Sequence, residues 1–210
     1  SFKVRRRNGT RLCERFSCEH FMTQAEFLTG SLIMGYTGEK APLAAIEFYH
    51  RTGFTEEQLA KYRDIFGSFG QFAAPLPHQY RRISDRQTLS IGDRYWQVVV
   101  GRGHSPEHAC LYCPALQIVI AGDQILPRIT PNVSVFPTEP DGNPLEDWLT
   151  SNTRLLGILP DDLLVLPAHQ APFRGVRIRI NQIIDSHRLA LANLYNFLMK
   201  PKLLPDCFTC

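Results

Sequence analysis

Three short apolar runs constrain this chain more than any other feature, because each breaks off into a polar string carrying a histidine or an aspartate. Val98, Val99 and Val100 lead into Gly103 to His108 (GHSPEH). Ile118, Val119 and Ile120 lead into Ala121, Gly122 and Asp123, and Leu163 to Leu166 lead into Pro167, Ala168 and His169. Short aliphatic runs rich in β-branched residues and closed by Gly or Pro read as buried strands. Strands that end in His, Asp and His bring these side chains to one edge of a sheet, so His104, Asp123 and His169 are the first candidates for a shared site.

The rest of the pattern supports a layered α/β architecture. Residues 9 to 36 read as one helix with Leu12, Phe16, Phe21, Ala25 and Leu28 on its apolar side, and Thr23 to Glu26 (TQAE) has the form of a capping box. Further helices are expected over 41–51 and from the Thr55 cap to about Phe66. Pro75 and Pro77 mark a linker. Strands are expected over 87–91, 95–100, 109–113 and 116–121, the last two joined near Pro114. A helix over 145–159 turns Trp148, Leu149, Leu155 and Leu156 inward. A buried strand covers 163–166. A long helix over 177–199 has Ile178, Ile183, Ile184, Leu189, Leu191 and Leu194 as its apolar positions.

Of the 210 residues, 44% are hydrophobic, enough for a sizeable core in one domain. A net charge of +3 is too mild to imply nucleic acid, and the basic cluster Lys3 to Arg7 reads as a solvated terminus. No stretch approaches the ~20 apolar residues of a membrane helix, and no apolar segment comes after the basic N-terminus. A cytoplasmic setting is the expectation. Six cysteines include two CxxC pairs, Cys110/Cys113 and Cys207/Cys210. Their separation is far longer than in a compact zinc ribbon, so reduced thiols are the expected state. Phe48, Tyr49, Phe54, Tyr62, Phe66, Phe69 and Phe72 either line a pocket or pack their helices together.

Imidazole and carboxylate donors suit zinc or another divalent metal. Gly101 and Gly103 would let the backbone approach an ion without a Cβ in the way. Asp123 stands after buried aliphatics, where a carboxylate is costly unless it is paired or ligates a cation. His108 reads as a core residue or as support for the site. Glu107 could orient His104 through the other ring nitrogen or stand as a solvated loop residue. No catalytic acid or base is identifiable. His20, His50 and His78 are the remaining histidines that could complete a site, but none has His-x-His spacing.

The order GHSPEH, AGD, LPAH, continued by Gly122 to Leu126, Pro131 to Ser134 and His169 to Gly175, resembles the metallo-β-lactamase superfamily of αββα hydrolases, in a branch with a helical insert. The resemblance covers residues 12–199 as an incomplete domain with its insert at about 37–75. Residues 1–11 match nothing in the family, and 200–210 resemble the start of a further segment. It implies a partial αββα sandwich. It also implies that His104 binds a first metal, Asp123 bridges, and His169 binds a second. The family's His-x-His-x-Asp-His string does not occur in the 210 residues, and residues 12–30 resemble the family's segment just after that string. The expectation is therefore a metal-dependent hydrolase acting on a small molecule (thioester, lactone or related ester), with zinc weakly held or absent and activity impaired. The alternatives are a non-catalytic scaffold that keeps the fold and a gene fragment that folds poorly. No membrane or nucleic-acid partner is expected, and the oligomeric state is open.

Overall fold

A five-stranded sheet organises the computed structural model, which describes Thr10, residues 12–73 and residues 75–199. Its strands are β3 (Thr88–Ile91), β4 (Arg94–Gly101), β5 (His108–Cys113), β6 (Ile118–Gly122) and β7 (Leu164–Pro167), in that spatial order. β3 to β6 form an antiparallel meander, and β7 adds parallel to β6. The β3–β4 turn has Gly92 at φ 61, and a 3-10 turn at Pro114–Leu116 joins β5 to β6. Helices α5 (Pro144–Ile158) and α6 (Val176–Phe197) come after the meander.

The register decides which side chains meet. Val99 pairs with Cys110, Tyr112 with Val119, and Val119 with Val165. With period-two alternation these residues share one face. That face packs against Leu155 and Leu159 at the end of α5 and against Val176, Ile180 and Ile184 of α6, in one buried cluster. Each fully buried aliphatic there contributes about 1.5–3 kcal/mol of apolar transfer. The opposite face carries Val98, Val100, Leu89, Ala109 and Leu111, with Ile83 packed on it. Ile120 on that face is 41% exposed. The fold is thus one helix-backed sheet of a layered α/β sandwich.

The N-terminal part departs from the single expected helix. Residues 12–16 are helical, but Ser17 takes a left-handed φ of 48 and stops the run. Phe21–Met22 (β1) then pairs in parallel with Arg81–Arg82 (β2), and α1 begins only at Gln24, running Gln24–Gly35. The expected capping box at Thr23 does not form. Thr23 Oγ1 donates to the Glu107 carbonyl at 2.8 Å, and the Ala25 amide donates to Glu107 Oε2 at 3.0 Å. The cap is supplied from far along the chain. The Thr55 box before α3 (Glu56–Ile65) does form, with Gln58 reciprocating.

Helix α2 is Leu43–Arg51, and a short α4 spans Phe69–Phe72. The aromatic residues of this region largely pack on one another in tilted or edge-on pairs: Tyr49 with Phe54 and Tyr62, Tyr62 with Phe66, and Phe66 with Tyr36. Within α6, Ile183 and Ile184 are buried as expected. Leu189 and Leu191 are exposed instead, because α5 and the sheet cover only the first half of the helix, and Ile178 is exposed in the first turn, beside the buried Val176 and Ile180. No helix among the described residues is long and apolar enough to cross a membrane. Lys3 to Arg7, Cys207 and Cys210 lie outside the described residues.

Candidate functional site

The strand directions build the site. β4 and β6 both run antiparallel to β5, and β7 runs parallel to β6, so β4, β6 and β7 all end at one edge. His104, Asp123 and His169 lie just beyond those three ends. Asp123 is the centre. Its carboxylate is 3% exposed, with Oδ2 3.7 Å from His104 Nε2 and Oδ1 3.6 Å from His169 Nε2. Both separations exceed a hydrogen bond.

His104 is held from behind. Its Nδ1 donates to the Asn132 carbonyl at 2.7 Å, which leaves Nε2 facing Asp123. Burial pushes the His104 pKa down, but the adjacent Asp123 carboxylate, the Asn132 carbonyl and the Glu26 charge outweigh it and raise the pKa overall. Asn132 could not be singled out from sequence, because its carbonyl acts rather than its side chain.

The other candidates fall into different roles. His108 is buried and its Nε2 donates to the Ala121 carbonyl at 3.2 Å, tying β5 to β6. The Glu107 carboxylate caps the first turn of α1 through the Ala25 amide, while the outer nitrogen of His104 goes to Asn132. Gly101 and Gly103 stand where neighbours crowd a side chain. A Cβ on Gly101 would stand 2.2 Å from the Gln124 side chain, and one on Gly103 would stand 2.5 Å from the Pro144 carbonyl. Cys110 and Cys113 are buried and in no disulfide, with Cys110 Sγ against the Ala121 carbonyl. Of the spare histidines, His20 lines the same pocket as His104 and Asp123, while His50 borders a separate depression beside Glu47 and Glu56.

That shared pocket is a cavity of about 610 Å³ between the site and the uncovered sheet face. Leu89, Ile91, Ala109 and Leu111 give it an apolar floor, and Thr23, Glu26, Ser105 and Glu107 line it closer to Asp123. Ser105 Oγ is buried with no hydrogen-bond partner.

The donors have the right chemistry for a divalent metal. Each His–Asp separation is shorter than two ligand bonds of about 2.0–2.2 Å laid end to end. The shells are not complete, however. Among the described residues no group of three or more His, Cys, Asp or Glu side chains closes on one point. Each position on either side of Asp123 would have two donor side chains, against four in a closed zinc site.

Comparison with known proteins gives a consistent result. The family profile described as the metallo-beta-lactamase superfamily matches residues 35–169. The chain is similar to a beta-lactamase domain protein from Burkholderia ambifaria, at 38% identity and a TM-score of 0.69, over 83% of this chain and 48% of that one. It is also similar to the metallo-beta-lactamase family protein TTHA1429 from Thermus thermophilus, at 24% identity and a TM-score of 0.73, over 91% of this chain and 60% of that one. The protein TTHA1623, solved in a di-iron-bound form, shares the fold at 20% identity and a TM-score of 0.54, over 82% of this chain and 68% of that one. The chain thus spans about half to three fifths of the first two relatives.

Proposed function

The chain belongs to the metallo-beta-lactamase superfamily, and from that premise we propose that it carries part of the site of a metal-dependent hydrolase in which His104, Asp123 and His169 are metal donors. The observation that carries this reading is the buried Asp123 carboxylate with one oxygen turned to each of two imidazole Nε2 atoms. A carboxylate so deep in a protein is retained where it is paired or meets a cation. Zinc is the metal we favour, since the donors are nitrogen and oxygen. When bound, such a metal supplies an activated water and a Lewis acid. His104, fixed by Asn132, would present Nε2 to it at constant geometry, and Asp123 would neutralise its charge.

The substrate class in this reading is a small thioester, lactone or related ester. The apolar floor of the pocket suits an acyl chain, and its polar end lies at Asp123. A cytoplasmic setting belongs to the same reading. We also propose that these 210 residues alone turn over slowly or not at all. Two ligands per position leave a metal exchangeable, and a displacement of about 1 Å costs on the order of a hundredfold in rate. The incomplete shells equally support a second reading, a non-catalytic scaffold that keeps the fold.

The test is metal content by atomic emission after zinc loading and dialysis, with thioester, lactone and ester hydrolysis assayed in zinc and in manganese. The expected result is substoichiometric zinc that is lost from Asp123→Ala, with hydrolysis near background. Zinc bound equally by Asp123→Ala would overturn the donor assignment. Firm turnover that disappears in that variant would overturn the inactivity and the scaffold reading together.

A further inference from the structure

The helical run over 12–16 ends in a Schellman motif, and both of its closing positions are cysteines. Ser17 has a left-handed φ of 48, and the Cys18 amide donates to the Cys13 carbonyl at 3.1 Å. That bond joins the residue after the left-handed position to the fourth residue from the end of the helical run. This geometry sets the two side chains on the same side of the turn, and Cys18 acts on the Cys13 thiol through a hydrogen bond and its charge. The usual occupants are apolar, whereas here the contact is between two thiols. Cys13 is half-buried and Cys18 is exposed, and both are free. A third group completes the cluster. Cys13 Sγ lies 3.8 Å from His20 Nδ1, and the ring of His20 lines the pocket that holds His104 and Asp123.

We propose that Cys13 and Cys18 form a redox-responsive thiol pair that closes reversibly into an intrachain disulfide, with His20 as the proton acceptor for closure. The co-reactant is a small disulfide, such as a glutathione-type dimer. Exposed Cys18 is the entry point. Its thiolate attacks one sulfur of the small disulfide, a Cys18 mixed disulfide forms, and one small thiolate leaves. Cys13 then gives its proton to His20 Nδ1, and its thiolate attacks Cys18 Sγ. The protein disulfide forms, the second small thiolate leaves, and it takes the proton from His20. The net change is two protein thiols oxidised and one small disulfide reduced to two thiols.

The surroundings support this order of events. Burial, the hydrogen bond and charge of Cys18, and Glu14 all raise the Cys13 pKa, so Cys13 is the poorer first nucleophile and needs a base. Burial lowers the His20 pKa, which keeps that ring neutral, and the geometry sets its Nδ1 against the Cys13 thiol. Cys110 and Cys113, both buried, serve as internal controls. The consequence for the pocket is local: oxidation removes the S–H that His20 now faces, and it locks the turn leading to β1.

The experiment treats the reduced full chain with oxidised glutathione, quenches with an alkylating agent at timed intervals, and maps each cysteine by peptide mass spectrometry. The expected product is a Cys13–Cys18 disulfide, with Cys110 and Cys113 still alkylated. Cys13→Ser is expected to trap glutathione on Cys18, and Cys18→Ser to leave Cys13 mostly reduced. His20→Gln should slow closure about tenfold or more while leaving capture on Cys18 unchanged. Glutathione persisting on Cys18 in the wild-type chain, or Cys18 pairing with Cys207 or Cys210, would overturn the proposal. Closure in His20→Gln at the wild-type rate would remove His20 from it.

Discussion

Alanine at Gly103 is expected to be far more damaging than alanine at Gly92, although both glycines have positive φ. Gly103 has φ +102, and a methyl there would stand 2.5 Å from the Pro144 carbonyl oxygen, 2.6 Å from Trp148 Cβ and 2.7 Å from the Trp148 amide. Two of those atoms are backbone of the first turn of α5, and Trp148 is fully buried, so none can swing away. The left-handed backbone costs about 1–2 kcal/mol for a residue with a Cβ. Overpacking adds about 1–3 kcal/mol. Together these reach about 2–5 kcal/mol, a large part of a total stability of about 5–15 kcal/mol.

Gly92 has φ +61 with nothing within 4 Å of the added atom, so only the backbone cost remains. Gly157, inside α5 and equally open, should gain about 0.5–1 kcal/mol as alanine. Urea unfolding at a common slope, monitored by tryptophan fluorescence, ranks the three. Gly103→Ala within about 0.5 kcal/mol of Gly92→Ala would refute the claim that α5 is packed tightly against the loop carrying His104. Destabilisation by Gly157→Ala would refute the account of open space on that helix.

Three further outcomes are expected. The Asp85 carboxylate is desolvated, yet its hydrogen bonds to Arg154 and the Val100 amide and the charges of Arg154 and Arg86 hold its pKa below the ordinary 3.8. Its contribution is present above that value and is lost as pH falls through the lower folded-state pKa. Asp85→Asn should flatten the acid limb of urea stability, and an unchanged limb would count against the pairing. Burial holds the His187 pKa below 6.5. The unfolded chain therefore takes up more protons just below that value, and stability falls as pH drops from there. His187→Gln should reduce that slope, and an identical slope would show that the group titrates alike in both states. Glu107→Ala should cost about 0.5–2 kcal/mol as a lost helix cap and speed amide exchange at Ala25 selectively. Loss of protection spread over the whole sheet would instead make Glu107 a core residue.

The sheet is legible in the sequence because its signals are local. Aliphatic runs broken by Gly and Pro mark β4, β6 and β7 within a residue or two, and the strand directions then bring His104, Asp123 and His169 to one edge. The break in the N-terminal helix is not legible, because leucines and phenylalanines spaced at three to five residues look the same whether the helix continues or stops. It is stopped by a left-handed Ser17, a residue type with no strong claim to that conformation. The role of Glu107 is hidden for a different reason. Its partner, the first turn of α1, lies more than eighty residues away in sequence, and local pattern does not report such a pairing. The glycines beside His104 do mark positions that exclude a side chain, but the excluding neighbours are Gln124 and α5 rather than an ion.

The parallel pairing of β7 has a consequence for how the three donors come and go. β3 to β6 close on one another through short turns, so His104 and Asp123 are brought together by contacts local in the chain. β7 reaches β6 only after the chain has run from Gly122 through α5 to Leu164, a longer loop with a larger closure entropy. In the proposed reading His169 is therefore the non-local donor. Any opening that lifts β7 from the sheet edge removes it from Asp123 while His104 stays in place. The affinity of the second position for an ion would then track the local stability of that one strand, and substitutions that loosen β7 or α5 would weaken it without touching a ligand.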